Sequence, residues 1–395
     1  MNFTPIAPVD LKGNLLGELL ELSEEVCLKS AKLSGTHSEV TLNAIKDLLR
    51  IVNSYYSNRI ESQGTHPIDI EKAMRHEFST NTNEKNLQLL SLAYIATQKK
   101  IEAMPCIEAY SQSFIRSLHH DFYTHEGMTS FLHIHFESQE KEMVAGEYRD
   151  CEVKIGEHIP PLASAIEPFM QTYERLYTSA MEHGTQAQKL LYALSSHHRL
   201  VWIHPFLDGN GRTSRLALDG ALLGMKLQGY GLWNISRGLA RKTNEYKSAL
   251  SQADLIKQSE YDGRGELSTK ALESFVRFML ECSLDQINYM DRYLKLSELA
   301  SRIDNYTQKA YDGGFDRLSL PKKSDRLFKH LLLVGESPRN ALTSVLDVSE
   351  RTITSTLKEL LEKGYLTSDT PKSAVRLRFN THFASWLFPE LIPEV

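Results

Sequence analysis

His204-Pro205-Phe206-Leu207-Asp208-Gly209-Asn210-Gly211-Arg212-Thr213-Ser214-Arg215 brings an imidazole, a carboxylate, a Gly-Asn-Gly turn and two guanidiniums into one short run. The patterns on either side of it decide the fold. Before it, Leu190, Leu191, Leu194 and Val201 recur at helical spacing. Pro205 cannot extend that helix and biases His204 away from helical geometry. Gly209, Asn210 and Gly211 tolerate the positive φ of a tight turn. After the turn, Leu216, Leu218, Leu222 and Leu223 mark a second helix. The stretch is therefore a loop between two helices, feeding the N-terminus of the second.

That arrangement suits a polyphosphate. Backbone N–H groups in a Gly-rich nest and the positive end of a helix dipole attract phosphate oxygens. Arg212 and Arg215 are three apart, so they share a helix face and can act as planar forks. Asp208 is a hard oxygen donor of the kind that holds Mg²⁺ together with substrate phosphates. His204 titrates near neutrality and can take a proton from an attacking hydroxyl. In-line transfer needs a base on one side and charge neutralisation on the other. Singly, a histidine is most often packed or solvated and a Gly-Asn-Gly most often a plain turn; the joint occurrence carries the reading.

The run resembles the Fic family signature, His-Pro-Phe-x-(Asp/Glu)-Gly-Asn-(Gly/Lys)-Arg-x-x-Arg, at every defined position. The resemblance implies an AMP transferase that uses ATP and Mg²⁺, with a side-chain hydroxyl of a protein as acceptor. It implies His204 as the base and Asp208 as the Mg²⁺ ligand. Gly209, Asn210 and Gly211 would form an anion hole, with Arg212 at the β-phosphate and Arg215 at the γ-phosphate. Phe206 would be a buried anchor. Transfer of another phosphate-linked group is the narrower alternative. Association of two copies through the core, giving a homodimer, is a further expectation from the family.

Upstream, Ser57-Asn58-Arg59-Ile60-Glu61-Ser62 resembles the family's inhibitory motif, (Ser/Thr)-x-x-x-Glu-(Gly/Asn). Ser57 and Glu61 share a helix face. The implied role is a salt bridge from Glu61 to Arg215 that stops the arginine from ordering the γ-phosphate. The last position departs from the pattern, being Ser62, and Gly64 is expected to stop the helix instead. The other reading of the segment is a surface helix with one solvated glutamate.

Between the two motifs, Cys151, Val153 and Ile155 alternate with Glu152 and Lys154, which predicts a short strand. The family places a β-hairpin flap here, so a target protein would dock near Glu152 to Ile155 by strand addition. Arg149 reads as a structural pin. Tyr246 falls where the family often has paired aromatics near the nucleotide. The second of the pair is Lys247 here, and a core tyrosine is the alternative.

The 395 residues suffice for two or three domains. With 41% hydrophobic and 24% charged residues the composition is that of an ordinary globular protein, and a net charge of −5 makes the whole molecule no evident polyanion binder. Cys27, Cys106, Cys151 and Cys282 are too scattered for a metal site or disulfide framework, which points to a reducing cytoplasm. Residues 1–12 lack a signal-peptide pattern, and no apolar run approaches a membrane span.

The expected fold is mainly α: a Fic-type helical bundle with a short β-hairpin flap, plus a C-terminal winged helix-turn-helix domain. Residues 1–85 would form a helical segment carrying the inhibitory helix, with apolar periodicity over 11–33 and 40–60 and a helix start at Thr65-His66-Pro67. Residues 86–295 would hold the catalytic core and following helices, including one over 270–293. The Gly-rich stretch at 262–265 reads as a loop. Over 318–391, Leu327, Phe328, Leu331 and Leu332 mark one helix. Ser337-Pro338 would cap a second, with Leu342 and Val345 inward, and Ser349 a third that ends at Gly364. Two alternating segments, 365–367 and 375–379, would make a hairpin. Arg351, Thr352, Thr354, Ser355 and Lys358 would face outward on the third helix, with Arg376 and Arg378 on the wing. This permits a second function, a nucleotide-sensing DNA-binding regulator. Acidic residues mixed among the basic ones equally permit protein contacts.

Overall fold

Helix caps and apolar stripes fix most of the chain. The computed structural model describes residues 1–10, 16–104, 107–136, 139–260, 262–263, 265–316 and 318–394. Leu11, at the start of the first expected helix, Cys106 and Arg264 of the Gly-rich stretch lie outside the described residues. Helix α1 spans Leu16–Leu33 and α2 spans Glu39–Ile60. The Ser38 hydroxyl caps α2 by accepting from the Thr41 N–H at 3.2 Å. Helix α3, Pro67–Ala73, starts where Pro67 follows the His66 cap. Then come α4, Thr82–Glu102, and α5, Gln112–Tyr123. Strands β1, His133–Phe136, and β2, Gln139–Glu142, pair antiparallel.

Four helices follow: α6, Ile166–His183; α7, Gln186–Ile203; α8, Asn210–Gly224; and α9, Ile235–Arg241. A reciprocal capping box between Thr185 and Gln188 starts α7. Helices α10, Thr243–Ala253, and α11, Thr269–Tyr293, then pack on each other. The pair α7–α8 sits at the centre. Helix α7 is covered by α1, α6 and α11, and α8 by α2, α4 and α5. Leu190, Leu191, Leu194, Leu218 and Leu222 are buried there. Each such side chain contributes about 1.5–3 kcal/mol of burial free energy. Helix α2 also contacts α8, which brings Ser57 and Glu61 onto Arg215.

Helix α12, Leu296–Tyr311, leads to α13, Ser324–Val334, strand β3, Glu336–Ser337, α14, Ala341–Leu346, and α15, Glu350–Glu362. Strands β4, Leu366–Thr367, and β5, Val375–Leu377, precede α16, Thr381–Leu387. The sheet order is β3-β5-β4, antiparallel throughout. Ser349 caps α15 through the Thr352 N–H, and Gly364 at φ +71° follows it.

Four expectations need correction. Ser337 is not a helix cap; it pairs with Val375 in β3, and α14 starts only at Ala341. The turn at Arg339 and Asn340 delays the helix, so Leu342 and Leu346 face inward and Val345 is exposed. No strand forms over 151–155; a single bridge joins Ile155 to His158, because Arg149 ties the segment to the loop beside it. The hairpin β1–β2 lies upstream of the expected place. The two arginines expected on the wing are both paired, Arg376 with Asp369 and Arg378 with Glu71 of α3 at 3.1 Å. Buried Glu71 also accepts from the Thr381 N–H and hydroxyl, at 2.8 and 2.6 Å. These bonds dock the C-terminal unit on the segment just after Ser57–Ser62.

Candidate active site

The loop is built by its own side chains. His204 ends α7 in the left-handed region, φ 52° and ψ 59°, so the chain turns sharply at the imidazole. Phe206 is buried and stacks on His119 of α5, centroids 4.0 Å apart and planes 11° apart. The Phe206 N–H donates to Asn210 Oδ1 at 2.9 Å, and Asn210 Nδ2 donates to the Phe206 carbonyl at 2.8 Å. Asn210 therefore clamps the loop through both ends of its side-chain amide. The Gly146 N–H donates to His119 Nδ1 at 2.8 Å, so Nε2 carries the proton and donates to the Asp208 carbonyl at 3.2 Å. Arg149 donates to the carbonyls of His204, Cys151 and Pro161 at 2.9, 2.8 and 2.5 Å, which makes it the expected pin.

Burial pushes the His204 imidazole down to about 4, helped by the nearby Arg149 guanidinium. At neutral pH it is an unprotonated base. Asp208 has 53% of its side chain exposed, with Oδ2 accepting from the Tyr123 hydroxyl at 3.2 Å. Gly209 caps α8 at φ +76°, and a Cβ there would lie 2.5 Å from the Tyr123 hydroxyl. Tyr123 and Gln63 hold Arg212: Nη2 donates to the Tyr123 hydroxyl at 2.9 Å and Nη1 to Gln63 Oε1 at 2.6 Å.

Arg215 is buried and held by α2 through Nε and Nη2. Its Nε donates to the Ser57 hydroxyl at 2.8 Å, and Nη2 donates to the Ser57 carbonyl at 2.9 Å and to Glu61 Oε1 at 2.8 Å. Glu61 also lies over Gly211, where a Cβ would come within 2.2 Å of Oε1. Burial alone would raise the Glu61 carboxyl, but Arg215 and then Arg212 outweigh it and hold it below the ordinary carboxylate value. The carboxylate thus sits at the N-terminal end of α8, beside both arginines.

Residues 110–222 match the Fic/DOC family. The chain carries a Fic domain. Protein adenylyltransferase Fic of Drosophila melanogaster is 45% identical over 78 residues, 20% of this chain and 15% of that protein. The Drosophila ananassae protein of the same name is 44% identical over the same length. The chain therefore spans only a small part of these curated relatives. Two solved structures share the fold: a Fic family protein from Desulfovibrio desulfuricans G20, with TM-score 0.52 and 17% identity, covering 94% of this chain and 98% of that one; and Fic-1 from C. elegans, with TM-score 0.55 and 15% identity, covering 71% and 74%.

The Fic domain takes in α5 to most of α8, and α2 lies outside it in sequence while closing it in space. The helix stop beside Glu61 differs from expectation. Ser62 itself adopts φ +59°, with the Ser62 N–H bonded to the Arg59 carbonyl and the Gln63 N–H to the Asn58 carbonyl, both at 2.9 Å. This is a Schellman stop with serine where glycine is favoured, and Gly64 plays no part in it. Tyr246 is also placed differently from the nucleotide role: it is buried behind Arg215, its hydroxyl donating to His197 Nε2 at 2.7 Å. Gln63, His119 and Tyr123 were missed in the sequence. The last two are four apart on α5, a helical spacing that shows a shared face but not what the face meets.

Proposed function

We propose that the chain is a self-inhibited protein adenylyltransferase, moving AMP from ATP to a Ser, Thr or Tyr hydroxyl of a protein or of itself. The carrying observation is the contact of Glu61 with Arg215, because it joins the two motifs in one site. The name of the Drosophila relatives supports the class of reaction. In this reading the acceptor hydroxyl loses its proton to the His204 imidazole as its oxygen attacks the α-phosphorus. The bond from that phosphorus to the bridging oxygen breaks, and pyrophosphate leaves. Arg212 and Arg215 would hold the departing phosphates, and the N–H groups at the start of α8 would face their charge.

Among the described residues no group of three or more His, Cys, Asp or Glu could hold a metal. A Mg²⁺ site here would therefore rest on Asp208 and the phosphates, which fits that ion's habit of using one or two carboxylates. Bound there, Mg²⁺ would neutralise phosphate charge. The target segment would dock beside 152–155, where Ile155 is exposed.

Glu61 would switch the site off by occupying the arginine that the γ-phosphate needs. The C-terminal unit is read as a winged helix. Its support is the three-helix order with the β3-β5-β4 sheet. DNA contact through its exposed α15 face has less behind it, since Arg376 and Arg378 are both paired. Incubation with α-labelled ATP and Mg²⁺ tests the reading: His204→Ala must abolish transfer in any variant that shows it.

A further inference from the structure

The contact between α2 and α8 is a polar ladder with a third rung far from the catalytic loop. Residues 61, 57 and 53 of one helix stand against 211, 215 and 219 of the other, both at intervals of four. Glu61 lies on Gly211, Ser57 holds Arg215, and Asn53 Nδ2 reaches Asp219 Oδ2 at 3.5 Å. Asn53 Nδ2 also donates to Gln98 Oε1 at 3.1 Å. The Tyr230 hydroxyl donates to Asp219 Oδ1. Asp219 is buried, and among the described residues no Lys, Arg or His forms an ion pair with it.

Asp219 lines a cleft of about 400 Å³, with Lys46, Arg50, Lys99, Glu102 and Trp233 among its walls. That volume lies in the range of small-molecule sites. Arg50 is neutralised by Asp47 and Glu102. Lys46 and Lys99 have no ion pair among the described residues, so the cleft combines two unpaired ammonium groups, that of Lys99 exposed, with a buried carboxyl that Tyr230 and Asn53 hydrogen-bond but no cation pairs. A simple anion would satisfy the lysines and leave Asp219 alone. A simple cation would do the reverse. One small molecule bearing both charges satisfies both. Leu49 and Leu223 give an apolar surface for the rest of it.

We propose that this cleft binds a free α-amino acid, its ammonium group on Asp219 and its carboxylate on Lys46 and Lys99. The state of Asp219 agrees: burial raises its carboxyl to about 7, and an arriving ammonium supplies the counter-charge that a buried carboxylate needs. The same two helices run from this cleft to Glu61 and Arg215. The binding claim does not depend on the adenylyl-transfer reading.

Isothermal titration of the full chain with each standard α-amino acid tests it, followed by the N-acetyl and carboxamide derivatives of any that binds. At least one free amino acid binds, and blocking either charged end weakens it about tenfold or more, ~1.4 kcal/mol. Lys46→Ala, at the half-buried edge of the cleft, weakens binding similarly without disturbing the core, and Asp219→Asn does so with its shape kept. Absence of binding by every free amino acid at millimolar concentration overturns the proposal. Equal affinity for the blocked derivatives overturns it too, and that comparison needs only the unaltered chain.

Discussion

Gln63 accepts a hydrogen bond from Arg212 at 2.6 Å, two residues beyond the carboxylate that occupies Arg215. One short segment thus engages both arginines of the loop. Ser62 makes this geometry: its left-handed φ turns the chain at the end of α2 and aims Gln63 back at α8. Under the proposed function, Gln63→Ala releases Nη1 of Arg212, with Nη2 still on Tyr123, while leaving Glu61 in place. Hydrogen bonds to charged groups contribute about 1.5–3 kcal/mol net, and only the part lost when ATP displaces Gln63 bears on the rate. Label transfer from ATP should rise about fivefold over the unaltered chain, well short of the effect of Glu61→Gly. An unchanged rate would mean that the Gln63 contact does not restrain the site.

Ser62→Gly removes the Cβ from a left-handed backbone. It should stabilise the fold by about 0.5–1 kcal/mol, since glycine carries no steric penalty there and only part of the gain is lost to unfolded-chain entropy. Urea denaturation followed by circular dichroism measures this. Inhibition should persist, because the backbone conformation is already the one glycine prefers.

Ser57→Ala leaves Arg215 Nε buried with no acceptor. An orphaned buried donor costs about 1–3 kcal/mol. The midpoint of thermal unfolding should fall, while Ser57→Thr, which keeps the hydroxyl, should recover part of the loss.

The acid limb of the reaction follows from His204. Its folded value of about 4 lies below the ordinary 6.5, so the imidazole stays neutral as pH falls from 7 to about 5. Measured as kcat/KM in the Glu61→Gly chain, which reports groups of the free enzyme, activity should hold down to that point and then drop through about pH 4. The same depression makes stability greatest above 6.5 and progressively lower as pH falls towards 4, since the unfolded chain takes up the proton first. A half-maximal rate near 6.5 would show an ordinary, solvated imidazole.

The catalytic loop was legible because it rests on local spacing, whereas the pairing of Glu61 with Arg215, 154 positions apart, was implied only by the resemblance of both motifs to the Fic family. Pro205 and Gly209 punctuate the chain, and the intervals 57–61 and 212–215 put side chains on one face. The partners of those residues were not legible. Gln63 reaches Arg212 only because Ser62 turns left-handed, and sequence pointed to Gly64 for that stop. His119 stacks on Phe206 across 87 positions of chain, a tertiary contact that no periodicity encodes. The side-chain clamp of Asn210 on the Phe206 backbone was likewise not legible, because the motif points only to its part in the turn. The flap strand failed for a similar reason: alternation at 151–155 was real, but Arg149 holds that segment as a loop.

The most direct test compares the unaltered chain with Glu61→Gly in transfer of α-labelled AMP from ATP with Mg²⁺, to itself and to a lysate. Release of Arg215 should raise incorporation by an order of magnitude or more, with pyrophosphate formed in equal amount and none of it surviving His204→Ala. Equal, low incorporation by both folded proteins would contradict the account, because Glu61 would then hold back no reaction at the loop.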